Sequence, residues 1–474
     1  MKKTKIICTM GPASSSEAIL EEMLLAGMNV ARLNFSHGDH KGHGEAIERF
    51  RKVRDRLGLS AAVLLDTKGP EIRLGDFEAG SVTLKPGQDF TLTADNCSGT
   101  QEKCSITYKE LSSQVQPGAT ILIDDGRVSL KVQRTEGSDI ICQVTNGGTI
   151  SNHKGVNVPK THLELEYLSE SDKQDLLFGI KQQVDYVAAS FVRTAQDVAD
   201  LRSFLKENGG EAIKIISKIE NLEGIDNFDK ILAASDGIMV ARGDLGVEVD
   251  FAELPGIQKR FIRECRRAGK IVITATQMLE SMIASPTPTR AEITDVANAV
   301  FDGTSAVMLS GESAMGQYPA ETVRVMSKIV IHAEQNMSGI STYVRKSDYD
   351  MDVKDISNAI GHAACTTAQD LNAKAIIALT KSGYTAEKIA KFRPHQPIIA
   401  ATPEKKTYHQ LALAWDVYPV LTDYGDQLDP LLEQAIQESK KMEIVSESDV
   451  IVISAGLPLQ VAGKTNLLRV ETVK

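Results

Sequence analysis

Three strand–helix units precede residue 69 and five more follow residue 168, and eight is the number of βα units that closes a parallel barrel. Lys5–Thr9, Met28–Asn34 and Ala61–Asp66 read as strands. Between them, Ser14 and Glu17 have the spacing of a capping box that opens a helix ending at Gly27, and a charged helix over 44–57 stops at Gly58. The rhythm resumes at Ser169, a good helix N-cap, with strands at Tyr186–Phe191, Ile213–Lys218, Gly237–Val240, Ile271–Ala275 and Ser305–Leu309. Such alternation favours a parallel sheet. A (β/α)8 barrel is the expected closure, and an open doubly wound sheet is its rival.

The interruption is a second constraint. From about Gly69 to Tyr167 no long helix is legible. Short β-rich runs (Ser81–Leu84, Phe90–Thr93, Thr120–Ile123, Val128–Val132, Ile140–Val144) are split by Pro86-Gly87, Pro117-Gly118, Asp125-Gly126 and Asn146-Gly147, all turn chemistry. These residues, 70–167, read as a small all-β cap inserted into a barrel domain made of 1–69 and 168–342. A third unit over 343–474 has a helix near Asp355–Asp370 and strands at Ala375–Thr380, Pro397–Ala401, Val417–Leu421, Val450–Ser454 and Leu467–Glu471, an α/β domain of its own. The chain of 474 residues has the length for such a division at about 150 residues per domain.

The net charge, 53 − 63 = −10, repels nucleic acid and anionic membrane, so neither is an expected partner. Any small anionic substrate must be held by local cations. No apolar run approaches the ~18 residues of a membrane span, and the opening apolar run is too short for a signal peptide before Gly11-Pro12. The six cysteines are scattered with no CxxC pair, which favours reduced thiols and a cytoplasmic location.

Barrels of this kind carry their chemistry at the carboxyl ends of the strands. Strand two ends in Arg32-Leu33-Asn34-Phe35-Ser36, and alternation puts Arg32, Asn34 and Ser36 on one face. Strand three ends in Asp66-Thr67-Lys68, strand five in Lys218-Ile219-Glu220, strand seven in Thr276-Gln277 and strand eight in Ser310-Gly311-Glu312, while strand six runs into Arg242-Gly243-Asp244. Charges at one strand end are ordinary solvated residues. Six such ends on one rim cannot all be buried without counter-ions. Glu220 and Asp244 supply the hard carboxylate oxygens that suit Mg²⁺, with Mn²⁺ as a substitute. Arg32, Arg73 and Lys218 supply positive charge for phosphate. The combination points to phosphoryl transfer, which relies on positioning and charge neutralisation. His37, His40 and His43 sit in a helix-opening loop and read as solvated surface residues rather than a zinc site.

At this point the residues resemble the pyruvate kinase family. The runs Met28–Gly38 (MNVARLNFSHG), Leu65–Arg73 (LDTKGPEIR), Ile216–Asn221 (ISKIEN), Met239–Glu248 (MVARGDLGVE), Ile273–Met282 (ITATQMLESM), Pro288–Glu292 (PTRAE) and Val307–Ala314 (VMLSGESA) carry that resemblance, in family order and over nearly the whole chain. The resemblance implies a barrel, a mobile β cap (a small barrel) and a C-terminal regulatory domain. It implies phosphoryl transfer from phosphoenolpyruvate to ADP, giving pyruvate and ATP, with Mg²⁺ and K⁺.

By the same resemblance, Glu220 and Asp244 would hold Mg²⁺, Lys218 would neutralise the transferring group, and Arg32 and Arg73 would grip phosphates. Asn34, Ser36, Asp66 and Thr67 look like the family's K⁺ cage, and an acidic Glu71 accompanies K⁺ dependence where a lysine would replace the cation. Thr276 would lie beside the enolate, Ser310 and Glu312 in the proton-relay region, and the backbone N–H groups of Gly243 and Asp244 at the substrate carboxylate. Pro12, His37 and Lys154, with Arg73, would lie near the nucleotide. The group that protonates the enolate stays open among Lys218, Thr276 and a water chain. Two other functions compete: a Mg²⁺-dependent lyase or aldolase acting on pyruvate enolate, and a non-catalytic relative that senses phosphometabolites.

In the C-terminal unit, Thr380-Lys381-Ser382-Gly383-Tyr384-Thr385 follows a strand and opens a helix, which suits either a phosphate or ordinary N-capping hydroxyls. The resemblance favours a phosphorylated effector on Thr380, Lys381, Ser382, Gly383 and Thr385, with Gly456 and Gly463-Lys464-Thr465-Asn466 as a second wall. Tyr384 stands where several sugar-bisphosphate-activated relatives carry arginine, which leaves the effector unidentified, and Lys160 departs from a small residue in the cap, where it would alter the hinge or add charge near the nucleotide. The resemblance also implies a homotetramer, and no phosphotransfer-like domain is expected beyond Lys474.

Overall fold

The computed structural model describes residues 1–337, 355–425, 427–459 and 463–474. The expected boundary at 342/343 lies outside the described residues.

Eight parallel strands close into a barrel: Lys5–Thr9, Val30–Asn34, Ala62–Asp66, Tyr186–Ala189, Lys214–Ile219, Gly237–Ala241, Ile271–Ala275 and Ala306–Leu309, each beside its predecessor. The last pairs with the first, Cys8 opposite Leu309, so the open sheet is excluded. Almost every strand residue is buried, because inner and outer faces both pack. Inside, Ile7, Val30, Leu64, Tyr186, Ile216, Met239, Ile273 and Met308 fill the lower barrel. Ala412 and Leu413, from the C-terminal unit, join that cluster and plug the barrel floor. Outside, the helices bury a larger apolar shell.

The first helix, Glu17–Leu25, is capped by Ser16, whose hydroxyl accepts the N–H of Ile19, and not by Ser14. A 3-10 turn over Pro12–Ser14 uses up the earlier residues. The second helix opens at His40, a turn before the expected 44, because Asp39 accepts the N–H of Gly42. Ser169 caps its helix as expected.

The cap has nine strands where five are legible in the sequence. The additional ones, Ile72–Arg73, Lys103–Ser105, Gly148–Ser151 and Gly155–Asn157, are too short and polar to show an alternating pattern. Seven strands form one sheet, from Ile72–Arg73 at one edge to Lys103–Ser105 at the other. A bridge between Leu74 and Ile106, with Gly75 N–H bonded to Ser105 O at 2.8 Å and Thr107 N–H to Arg73 O at 2.9 Å, joins the two edges into a small barrel. Its core is separate, built on Phe90, Leu92, Ile121, Leu130 and Ile140.

The C-terminal sheet runs Val417–Leu421, Ile398–Thr402, Ala375–Leu379, Val450–Ala455, Leu467–Thr472, parallel except for the last strand. Among the described residues no helix is long and apolar enough to cross a membrane.

Candidate active site

Asp66 ends the third barrel strand with its side chain fully buried in the barrel mouth. It holds two cations: Arg32 Nε donates to Oδ2 at 2.5 Å and Lys218 Nζ to Oδ1 at 3.1 Å. Arg32 also donates from Nη1 to Thr9 Oγ1 at 2.8 Å. Lys218 Nζ lies 2.9 Å from Glu220 Oε1 and donates to Ser190 Oγ at 2.8 Å. Glu220 Oε2 accepts the N–H of Phe191 at 2.6 Å.

Burial opposes every charge here, and the neighbours decide the outcome. For Asp66, Arg32 and Lys218 overcome burial and hold the carboxyl below its usual range. For Lys218, Asp66 and Glu220 overcome it and raise the ammonium's pKa. For Glu220 burial prevails, reinforced by the charge of Asp244, and the pKa is pushed up to about 8 in spite of Lys218. Asp66 is thus held ionised between two fixed cations, Arg32 and Lys218.

The opposite wall is braced by backbone bonds. Gly243 N–H donates to Thr276 Oγ1 at 2.9 Å. Thr276 and Gln277 are left-handed, with φ of 66° and 54°, a conformation that side chains rarely adopt. Arg242 keeps them so, donating to Thr276 O at 2.5 Å and Gln277 O at 3.2 Å while paired with Asp295 at 2.7 Å. Glu312 accepts N–H bonds from Leu279 at 3.1 Å and Ser310 at 2.7 Å, tying together the ends of strands seven and eight.

A cleft of about 820 Å³ separates the mouth from the cap, and His37, Glu71, Arg73, Lys154, Lys160 and Asp244 are among its walls. Arg73 donates from Nε and Nη2 to Glu71 Oε2 at 2.8 and 2.5 Å, and Lys154 Nζ is 2.7 Å from Asp124. Pro12 is exposed at the start of its turn. Asn34 and Asp66 are cross-strand partners, Asn34 Oδ1 accepts the N–H of Ser36 at 3.2 Å, and Thr67 Oγ1 accepts the N–H of Ser190 at 3.1 Å, so the four oxygen-bearing residues Asn34, Ser36, Asp66 and Thr67 share one corner.

Glu220 Oε1 is buried with the Lys218 ammonium 2.9 Å away, and the Asp244 charge acts on the carboxyl. Two neighbouring carboxylates at the mouth, Glu220 and Asp244, fit Mg²⁺, which takes few protein oxygens and completes its shell with water and substrate. Among the described residues no cluster of three or more His, Cys, Asp or Glu forms a ready-made metal cage. His37 and His40 are exposed as expected, but His43 is half-buried: its ring stacks on Phe35 at 4.2 Å and Nε2 is 2.8 Å from His37 O. The early start of the helix turns His43 onto Phe35.

In the C-terminal unit, Thr380–Gly383 lead into the helix Tyr384–Ala390, whose first residues have no side-chain cap. The N-cap position is Gly383, which has no side chain to cap with. Thr385 Oγ1 is 3.0 Å from Thr465 Oγ1, which joins this loop to the 463–466 segment.

Sequence reasoning passes over Thr9, Ser190, Arg193 and the brace role of Arg242. Tyr186, Ala188 and Ser190 alternate on one face, so the strand-end rule that singles out six strands also points to the first and fourth.

Profiles described as "Pyruvate kinase, barrel domain" and "Pyruvate kinase, alpha/beta domain" match residues 1–323 and 358–471. The chain is 48% identical over 475 residues to the pyruvate kinase of Clostridium acetobutylicum, covering all of both chains. It is 47% identical to that of Geobacillus stearothermophilus, covering all of this chain and 80% of that one. The crystal structure of a pyruvate kinase from Cryptosporidium parvum superposes with a TM-score of 0.95 at 40% identity, over 100% of this chain and 96% of the other.

Proposed function

This chain belongs to the pyruvate kinase family, phosphotransferases that move the phosphoryl group of phosphoenolpyruvate to ADP in the last step of glycolysis, and on that premise we propose how its own residues divide the work. The observation that carries the reading is the buried Arg32–Asp66–Lys218–Glu220 cluster at the barrel mouth.

Two polyanions must approach closely, and each fixed cation removes part of their repulsion. Lys218 faces the transferring phosphoryl group and Arg32 grips its oxygens, both preoriented by Asp66, so no reorganisation is needed when charge develops. Arg73, with Lys154, His37 and Pro12, meets the nucleotide from the cap and rim. The backbone N–H of Asp244, joined by that of Gly243 once it leaves Thr276 Oγ1, receives the substrate carboxylate, and Thr276 lies beside the enolate. Glu220 and Asp244 hold Mg²⁺ or Mn²⁺, which when bound supplies Lewis-acid charge beside the transferring group. Asn34, Ser36, Asp66 and Thr67 hold K⁺. The cap closes over the nucleotide and excludes water.

Pyruvate formation from phosphoenolpyruvate and ADP, with Mg²⁺ and with or without K⁺, tests this. Turnover that needs both cations is expected. Turnover indifferent to K⁺ would discard the cation corner, and none at all would overturn the assignment.

The 70–167 cap and the 343–474 unit act as separate domains in this reading. A phosphorylated metabolite on Thr380, Lys381, Ser382, Gly383 and Thr385 regulates activity, in a cytoplasmic homotetramer. The Thr385–Thr465 contact, which joins this loop to the 463–466 segment, supports that loop as the effector site.

A further inference from the structure

Four residues leaving the fourth barrel strand, Ser190 to Arg193, touch the lysine–carboxylate cluster at one end and the cap at the other. Ser190 Oγ is 2.8 Å from Lys218 Nζ, 3.1 Å from Asp66 Oδ1 and 2.6 Å from Thr67 O. Phe191 N–H reaches Glu220 Oε2 at 2.6 Å, and the residue is left-handed at φ 54°. A phenylalanine rarely adopts that conformation, so its surroundings hold it there. Arg193 Nη1 donates to Leu163 O at 3.0 Å and Nη2 to Leu165 O at 2.7 Å, both on the segment by which the chain returns from the cap. Its Nε lies 3.6 Å from Asp197, which also accepts the Arg193 backbone N–H at 2.9 Å.

Both connections of the cap rest on the same short run. On the way out, Gly69 packs so closely that a Cβ there would come within 2.9 Å of Ser190 O. On the way back, Tyr167 Oη donates to Ser190 O at 3.2 Å, and two residues earlier the Arg193 guanidinium takes hold. A guanidinium is a rigid planar fork, so two carbonyl bonds fix the direction of the segment as well as its distance.

We propose that Arg193 is a positioning residue that sets the placement of the cap and of Lys218 and Glu220 together. It latches the cap's return segment to the run whose other members hold the ammonium through Ser190 and the carboxylate through Phe191. A displacement of the cap is thereby passed to the reacting groups, and a properly seated cap aligns them. The inference rests on the roles proposed above for Lys218 and Glu220.

The test uses the full-length enzyme with phosphoenolpyruvate, ADP, Mg²⁺ and K⁺. Arg193→Met keeps the apolar stem and removes the fork, Arg193→Lys keeps one donor, and Lys218→Met is the reference. The readings are kcat, both KM values, and amide hydrogen exchange over 160–168 and 215–220. Arg193→Met should lower kcat ~10- to 100-fold, the scale on which a reacting group displaced by about 1 Å loses rate. Exchange should rise in both segments, and Arg193→Lys should recover part of each effect. A kcat unchanged within about twofold, or faster exchange confined to 160–168, overturns the coupling, since a merely local brace would give that result. If Arg193→Met does not fold, Arg193→Lys is judged against the parent by the same criteria. Turnover retained in Lys218→Met would overturn the underlying site reading and the coupling with it. A dead Lys218→Met beside normal Arg193 variants would remove the coupling alone.

Discussion

Lys218 and Glu220, two residues apart at the carboxyl end of one strand, meet with ammonium and carboxylate 2.9 Å apart. Residues at that spacing share a face of the strand, so the sequence alone puts both in the barrel mouth. Their partners make them unequal. Asp66 secures Lys218, whereas Glu220 is pushed up to about 8 by burial and by Asp244 in spite of Lys218. The fixed cation and the exchangeable carboxylate are thus distinguished by surroundings, not by residue type.

Lys218→Met removes the cation shared by Asp66 and Glu220. Breaking a buried pair on one side costs about 3–5 kcal/mol, because the other charge is left buried. Phosphoryl transfer should be lost, and the melting temperature should fall while the far-ultraviolet spectrum is retained. Turnover near that of the parent enzyme would show that Lys218 does not neutralise the transferring group.

Glu71 is an acidic residue on the cap side of the cleft, and its carboxylate is bound by Arg73. Glu71→Lys brings a fixed positive charge where, on the function proposed above, K⁺ is required. The enzyme should then turn over without K⁺ and gain nothing when the cation is added, as read from initial rates in Na⁺-free and K⁺-containing buffers. Unaltered K⁺ stimulation would dissociate Glu71 from the cation requirement.

All six cysteines are free thiols; Cys8, Cys104, Cys142 and Cys265 are buried, and Cys97 and Cys365 are partly exposed. Burial pushes Cys104 up to about 11 and Cys142 to about 12, and raises Cys8, Cys265 and Cys365 further. The thiolate is the reactive form, so these should resist a disulfide reagent at pH 8. One fast thiol, removed by Cys97→Ser, is expected in the native enzyme and six after denaturation. Several fast thiols in the native enzyme would contradict the packing around Cys8, Cys142 and Cys265.

The barrel was legible because each of its strands is an apolar run long enough to separate from the helix that follows. The mouth was legible because polar residues interrupt those runs at their carboxyl ends, as in Arg32, Asp66 and Lys218. What stayed hidden is set by contacts distant in sequence. Ser16 displaces Ser14 as a cap only because a 3-10 turn intervenes. The short cap strands such as Ile72–Arg73 exist only through their pairing partners. Arg193 reads as a charge after a strand until the carbonyls of Leu163 and Leu165 arrive beside it.

Asp416 carries a pH dependence of stability that belongs to the seam between barrel and C-terminal unit. Its side chain is 1% exposed and lies 3.0 Å from Lys3, with Lys5 and Glu334 also acting on it. Burial outweighs the two lysines and pushes the carboxyl up to about 6 from its ordinary 3.8. Between those values the folded chain holds a proton that the unfolded chain has released, so stability falls as pH rises from about 4 to 6. Above that range the contribution is constant. Asp416→Asn cannot ionise and should lose this part of the slope, so its melting temperature should change less than the parent's between pH 4.5 and 6.5. An equal change in both proteins would mean that Asp416 is ionised throughout, stabilised by Lys3 and Lys5 more strongly than burial opposes it.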